Sequence, residues 1–172
     1  MMLLLSDARS ELERFIAERF RASYGAEVRQ FCAHLLGARD DAGAWRAAAG
    51  YTPAERGALF LEHYLDRPVE ALLSGVLGER VPRERIVEVG NLVAAPAGCG
   101  RRFLPALGRH LIALDYRWVV FTATQEVRNL LRRLSFPALV LAPALRERLP
   151  DGGAAWGSYY THRPSVMAGC IA

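Results

Sequence analysis

The chain has 172 residues, 52% of them apolar and 23% charged, with a formal net charge of +4. That is about one domain's length, with enough apolar material for a real core. Every basic residue is an arginine, which excludes chemistry on a lysine amine, and no basic run interleaved with aromatics points to nucleic acid.

Residues 7–22 predict an amphipathic helix. Ala8, Leu12, Phe15, Ile16 and Phe20 share one stripe, Arg9, Glu13, Arg14 and Arg21 lie off it, and Ser6 or Asp7 is the candidate cap. The mixed charges favour packing on a sheet over a membrane surface. Residues 28–36 and 44–51 predict a hairpin around the turn GARDDAG. Residues 53–66 read as helical or irregular and 68–77 as helix, followed by the polar connector GERVPRER.

The segment from Arg85 onward is the most informative. RIVEVGNLVA predicts a strand with Ile86, Glu88, Gly90 and Leu92 on one face and Val87, Val89, Asn91 and Val93 on the other. A carboxylate at a strand centre is unusual, and Gly90 marks a bulge or a close backbone approach. The glycine loop APAGCGRR leads into a helix striped by Phe103, Leu104, Leu107, Leu111 and Leu114. Because proline is comfortable only in a first turn, Pro105 predicts a helix start near Arg101 or Arg102. The amides of residues 98–102 would then be free to curl around an anion. A strand at 118–124, a helix at 126–134 and strands at 137–143 and 156–162 complete the expectation. These elements predict a single α/β domain over 1–172, an α+β mixed sheet flanked by helices.

Cys32, Cys99 and Cys170 are far apart and form no CxxC pair, so neither a disulfide framework nor a zinc site is expected, and a reducing cytoplasm fits best. MMLLLSD lacks the basic start of a signal peptide, and no stretch approaches the roughly 20 apolar residues of an integral membrane segment.

The order strand, glycine loop, helix, strand, helix from Arg85 to Phe136 resembles the cofactor half of GNAT acyltransferases. Their loop reads Gln or Arg, two residues, Gly, any residue, then Gly or Ala. Here Ala95-Pro96-Ala97-Gly98-Cys99-Gly100 matches at both glycines and departs at Ala95. Over FLEHYLDRPVE (60–70), RIVEVGNLV (85–93), YRWVVFTATQEVRNLLRRL (116–134) and WGSYYTHRPSVMAG (156–169) the chain is similar to the bacterial thermostable hemolysin family. That family in turn resembles acyl-homoserine-lactone synthases, which take acyl groups from carrier thioesters.

The resemblance implies a GNAT-like N-acyltransferase fold with a central twisted mixed sheet. It implies acyl-CoA or acyl carrier protein as cosubstrate, no permanently bound cofactor, and a small amine acceptor. Leu92 and Val93 would meet the pantetheine arm, and Gly98, Cys99, Gly100, Arg101 and Arg102 the pyrophosphate, which amide dipoles and arginines suit; the alternative is a tight turn with solvated arginines. The thioester carbonyl would lie between strands splayed at Leu92–Val93 and Val120–Thr122. Glu88 is the candidate general base, or else a structural carboxylate paired with an arginine. Glu62 and Tyr64 either position the acceptor or belong to a surface helix, and Asn91 either bonds substrate or satisfies a strand edge. Phe60, Leu61 and Leu65 line an acyl tunnel or pack the core. Leu131 stands where many GNAT enzymes carry a general-acid tyrosine, which leaves Tyr159 or Tyr160 as substitutes. Three readings follow: an acyltransferase, a membrane-active hemolysin, and a non-catalytic CoA-binding module.

Overall fold

The computed structural model of the chain describes residues 2–5 (backbone only), 8–95 and 98–172. Among the described residues, seven strands, β1 (Met2–Leu5), β2 (His34–Arg39), β3 (Trp45–Pro53), β4 (Ile86–Ala94), β5 (Trp118–Ala123), β6 (Ala138–Pro143) and β7 (Ser165–Cys170), form one sheet in the order β1-β2-β3-β4-β5-β7-β6. β4 and β5 pair in parallel and the other neighbours antiparallel. This is the mixed sheet that alternating hairpin and crossover segments predicted.

Helices α1 (Arg9–Tyr24), α2 (Val69–Leu77), α3 (Cys99–Ala113) and α4 (Gln125–Arg133) cover its two faces. Leu12, Ile16 and Phe20 of α1 pack on Leu35, Ala48 and Val93, while Val69 and Leu73 of α2 pack with Ile86 and Val120. Phe103, Leu107 and Leu111 of α3 cover the opposite face, at Val87, Val119 and Phe121. The neighbours Val119 and Val120 thus serve opposite cores, as the period-two alternation of a strand requires. Each such side chain taken fully out of water contributes about 1.5–3 kcal/mol.

Several expectations shift. The candidate caps Ser6 and Asp7 lie outside the described residues. The strand predicted at 28–36 begins instead at His34, because side chains rather than a ladder hold the preceding segment: Cys32 N–H donates to Asn91 Oδ1 and Ala33 N–H to Thr52 Oγ1. Within 53–66, the chain makes short 3-10 turns at Ala54–Arg56 and Phe60–Tyr64. α3 starts at Cys99, earlier than Pro105 implied, because Gly98 at φ +96° supplies the left-handed entry and the helix absorbs the proline in its second turn.

The strand predicted at 156–162 is instead 3-10 turns at Ala154–Trp156 and Tyr159–His162, and the last strand is β7. The cause is Gly157 at φ +53°, ψ −127°, which breaks the extended run. Around it the segment docks on the end of α1, Ser158 N–H donating to the Tyr24 carbonyl at 2.8 Å and Glu27 N–H to the Ala155 carbonyl at 2.7 Å. A Cβ on Gly157 would stand 2.0 Å from the Tyr24 carbonyl oxygen. Gly157→Ala is therefore expected to cost about 2–4 kcal/mol and to lower Tm by roughly 5–15 °C. A melting scan with unchanged Tm would show that this docking is not tight.

Candidate functional site

The site begins with a bulge in β4. Ala48 pairs with Val93 and Gly50 with Gly90, so Asn91 and Leu92 together oppose Ala49. Asn91 sits at φ +51°, a left-handed conformation that Asn tolerates better than most residues. Its Oδ1 accepts from Cys32 N–H at 2.8 Å and its Nδ2 donates to the Gln30 carbonyl at 3.4 Å. The bulge also reverses the alternation, so Val93 packs beneath α1 rather than on the face of Val87. The expectation that Val87, Val89, Asn91 and Val93 share one face fails for that reason.

Parallel pairing of β4 with β5 runs from Ile86↔Trp118 to Val89↔Phe121 and then stops, although β5 continues to Ala123 against β7. Past that point the two strands present backbone edges to each other without a ladder. Backbone polar groups in such a gap call for another partner, and the expected opening near Thr122 is the place for one.

Glu88 stands at the start of this gap and is 6% exposed. Its partners are not arginines. Oε2 accepts from Phe60 N–H at 2.9 Å and Oε1 from Leu61 N–H at 3.0 Å. Burial pushes its carboxyl up to about 7, against the lowering effect of those two amides and with a smaller push from the nearby Glu62. Each oxygen retains a second lone pair, so the group can still take a proton.

Glu62 is clamped. It accepts from Leu59 N–H, Val69 N–H and both terminal nitrogens of Arg83, at 2.8–3.0 Å. Arg83 also reaches Glu70 at 2.5 Å and the carbonyls of Ala54 and Gly57. Burial resists the charge on Glu62, but the arginine and the two amides hold its carboxyl below the usual range. Tyr64 hydrogen-bonds Tyr160 between hydroxyls at 2.5 Å, and burial raises its phenol well above the ordinary value. Glu62 and Tyr64 therefore tie the 54–70 segment over Glu88.

The first turn of α3 lies beside the end of β4. A Cβ on Gly100 would be 3.8 Å from Ala94 Cβ and 3.1 Å from Leu130 of α4. Arg101 and Arg102 are exposed there, and Cys99 is a half-buried free thiol. Among the described residues, no acceptor is shown for the amides of Cys99 and Gly100.

A cavity of about 1020 Å³ runs through the gap. On the α1 side it is walled by aromatic rings with Glu88, Asn91 and Glu62; on the α3 side it is lined by aliphatic residues including Leu104, Leu107, Leu111 and Leu131. Leu92 and Thr122 line it where the halves meet. Val93 and residues 98–102 are not part of its wall. Tyr24, Phe31, Cys32, Thr124 and Trp156 are wall residues that sequence reasoning missed; they come from distant segments, and only the unusual aromatic content of 156–160 hinted at them. Among the described residues no cluster of His, Cys, Asp or Glu is arranged to hold a metal.

The sequence profile of the family described as thermostable hemolysin matches residues 5–172. No curated protein matches the chain. Among solved structures, the apo form of TofI is similar over 99% of this chain and 91% of its own, at 17% identity and TM-score 0.64. FeeM, an N-acyl amino acid synthase from uncultured soil microbes, is similar over 99% and 95%, at 11% identity and TM-score 0.62. BjaI, a CoA-dependent acyl-homoserine lactone synthase solved with SAM and isopentyl-CoA, is similar over 95% and 74%, at 14% identity and TM-score 0.57. The fold is thus the GNAT-like one these synthases share.

Arg83→Ala should remove the charge that balances Glu62 and leave a mostly buried carboxylate unpaired, at a cost of about 2–4 kcal/mol. Chemical denaturation of the purified variant measures this, and a loss under about 0.5 kcal/mol would mean that water replaces the clamp.

Proposed function

We propose that this chain, which belongs to the thermostable hemolysin family, is an N-acyltransferase that moves an acyl group from acyl-CoA or an acyl carrier protein to a small amine. The carrying observation is the break in the sheet: β4–β5 pairing ends at Val89–Phe121 beside a buried carboxylate, and a large cavity passes through the opening. A thioester threaded there would pair its pantetheine amides with the free edge of β4 at Leu92–Val93. Its phosphates would reach the first turn of α3, where Cys99 and Gly100 offer amides and Arg101 and Arg102 are exposed arginines. The aliphatic half would take the acyl chain.

In the reaction, Glu88 accepts a proton from the acceptor ammonium, directly or through a water, and the neutral amine attacks the thioester carbonyl carbon. Backbone N–H groups in the gap, next to Leu92 and Thr122, are the candidate donors to the tetrahedral oxyanion. The C–S bond then breaks. Leu131, in the aliphatic wall, carries no acidic proton, so the departing thiolate takes up the second N–H proton of the amine nitrogen. The similarity in fold to FeeM and to BjaI with its bound isopentyl-CoA supports this donor class.

The family's description raises direct lysis as a second reading. None of the described helices is long and apolar enough to cross a membrane, and an N-acylated amine is itself amphiphilic. Dye-loaded vesicles are expected to stay intact with protein alone and to leak once acyl-CoA and amine are added; leakage from protein alone would favour direct lysis.

Glu88→Gln is expected to lower kcat by roughly 100-fold while leaving acyl-CoA affinity within about twofold. A base works deprotonated, so wild-type kcat/KM should rise as pH passes about 7 and fall away below it. Steady-state rates from pH 5.5 to 9 measure both effects. An unchanged rate and pH profile in the variant would remove Glu88 from the mechanism.

A further inference from the structure

The α1-side half of the cavity is an aromatic chamber. Trp156 stands with its ring 6.0 Å from Phe20, 5.9 Å from Phe60 and 5.4 Å from Tyr159. Tyr24 meets Tyr159 edge-on at 5.2 Å, and Phe60 meets Tyr64 at 6.1 Å. Among the described residues, the cation over a ring is Arg39 above Trp45, and neither residue lines the cavity. Tyr159 lines the chamber, and its hydroxyl has no hydrogen bond among the described residues.

Among the described residues, the charges in this half are of one sign. Glu62 is already balanced by Arg83, whereas Glu88 receives two backbone amides and no cation. Among the described residues, the one arginine in the cavity wall, Arg109, belongs to α3 on the other side of the sheet. His63 sets its ring edge-on against Phe60 at 5.7 Å. A carboxylate on the acceptor would therefore be buried without a guanidinium partner and face Glu88. An aromatic ring would instead find edge and face partners, and an ammonium would find ring faces together with the Glu88 carboxylate.

We infer that the acceptor is an arylalkylamine, a primary amine on an aromatic group that carries no carboxylate. This rests on the acyltransferase reading and narrows its acceptor. The ammonium passes one proton to Glu88 and thence to solvent. The nitrogen forms its bond to the acyl carbon as the C–S bond breaks, and the departing thiolate takes up the second N–H proton. The products are the N-acyl amine, free CoA thiol and one released proton.

The test is thiol release from octanoyl-CoA by the whole protein with matched acceptors: tyramine against tyrosine and phenethylamine against phenylalanine, with products identified by mass. The expected result is a kcat/KM at least about 100-fold higher for each amine than for its amino acid. Equal or better use of the amino acids overturns the inference and leaves the acyltransferase reading intact, as does binding of octanoyl-CoA without turnover of either class. If octanoyl-CoA neither binds nor turns over, the acyltransferase reading itself fails, and this inference with it. Trp156→Leu should raise KM for tyramine about tenfold with KM for octanoyl-CoA unchanged, and Trp156→Phe should restore most of it. Should Trp156→Leu lower Tm sharply, Tyr159→Leu provides the same comparison. An equal change in both KM values would make the ring structural and contradict the assignment.

Discussion

Everything proposed for this chain depends on one break in one strand. Asn91, held left-handed and bonded through its carboxamide to the 30–32 segment, adds a residue to β4 and turns its end away from β5. A sheet that paired fully here would place a closed ladder where the cavity runs. The break leaves backbone edges without sheet partners at the centre of the domain, a costly arrangement unless something else meets them. The apolar clusters packed on the two faces offset that cost.

The carboxylates around the break have different duties although they sit close together in the fold. Glu62 is surrounded by a guanidinium and two amides, which keep it charged and fixed. Glu88 has amides but no cation, and burial dominates its titration. Two acids in neighbouring environments thus have their proton affinities driven apart, one lowered and one raised, a pattern that suits a structural anchor beside an acid–base group. The same Phe60–Leu61 amides that bind Glu88 begin the turn that Glu62 clamps, so positioning the proposed base and closing the chamber above it are one structural event.

The fold class was legible because it rests on local periodicity: the stripe of α1, the apolar run of β5 and the strand–glycine–helix junction each identify themselves. Glu88 was legible as an anomaly, a charge inside IVEVG. What failed did so where tertiary contacts override local pattern. Residues 28–33 look extended enough for a strand but are held by Asn91 and Thr52 side chains. The 156–162 segment has strand-like composition, yet Gly157 and its contact with Tyr24 fold it into tight turns. The clamp on Glu62 was not legible because its partner Arg83 lies in a segment that looked like a polar connector. The reversal of Val93 follows from a single left-handed residue, which no alternating pattern reveals. The aromatic chamber joins α1, the turn at Phe60 and the segment at Trp156, elements that only the folded chain brings together.

The cavity crossing the sheet is proposed to hold an acyl thioester, with the acyl chain in its aliphatic half. A thermal-shift titration of the purified protein with CoA, acetyl-CoA, octanoyl-CoA and palmitoyl-CoA tests this most directly, since a ligand that binds the folded state raises Tm by mass action. Saturable shifts that grow with chain length are expected, as each buried methylene adds about 0.8 kcal/mol. No shift with any thioester, or equal shifts for CoA and palmitoyl-CoA, would contradict it.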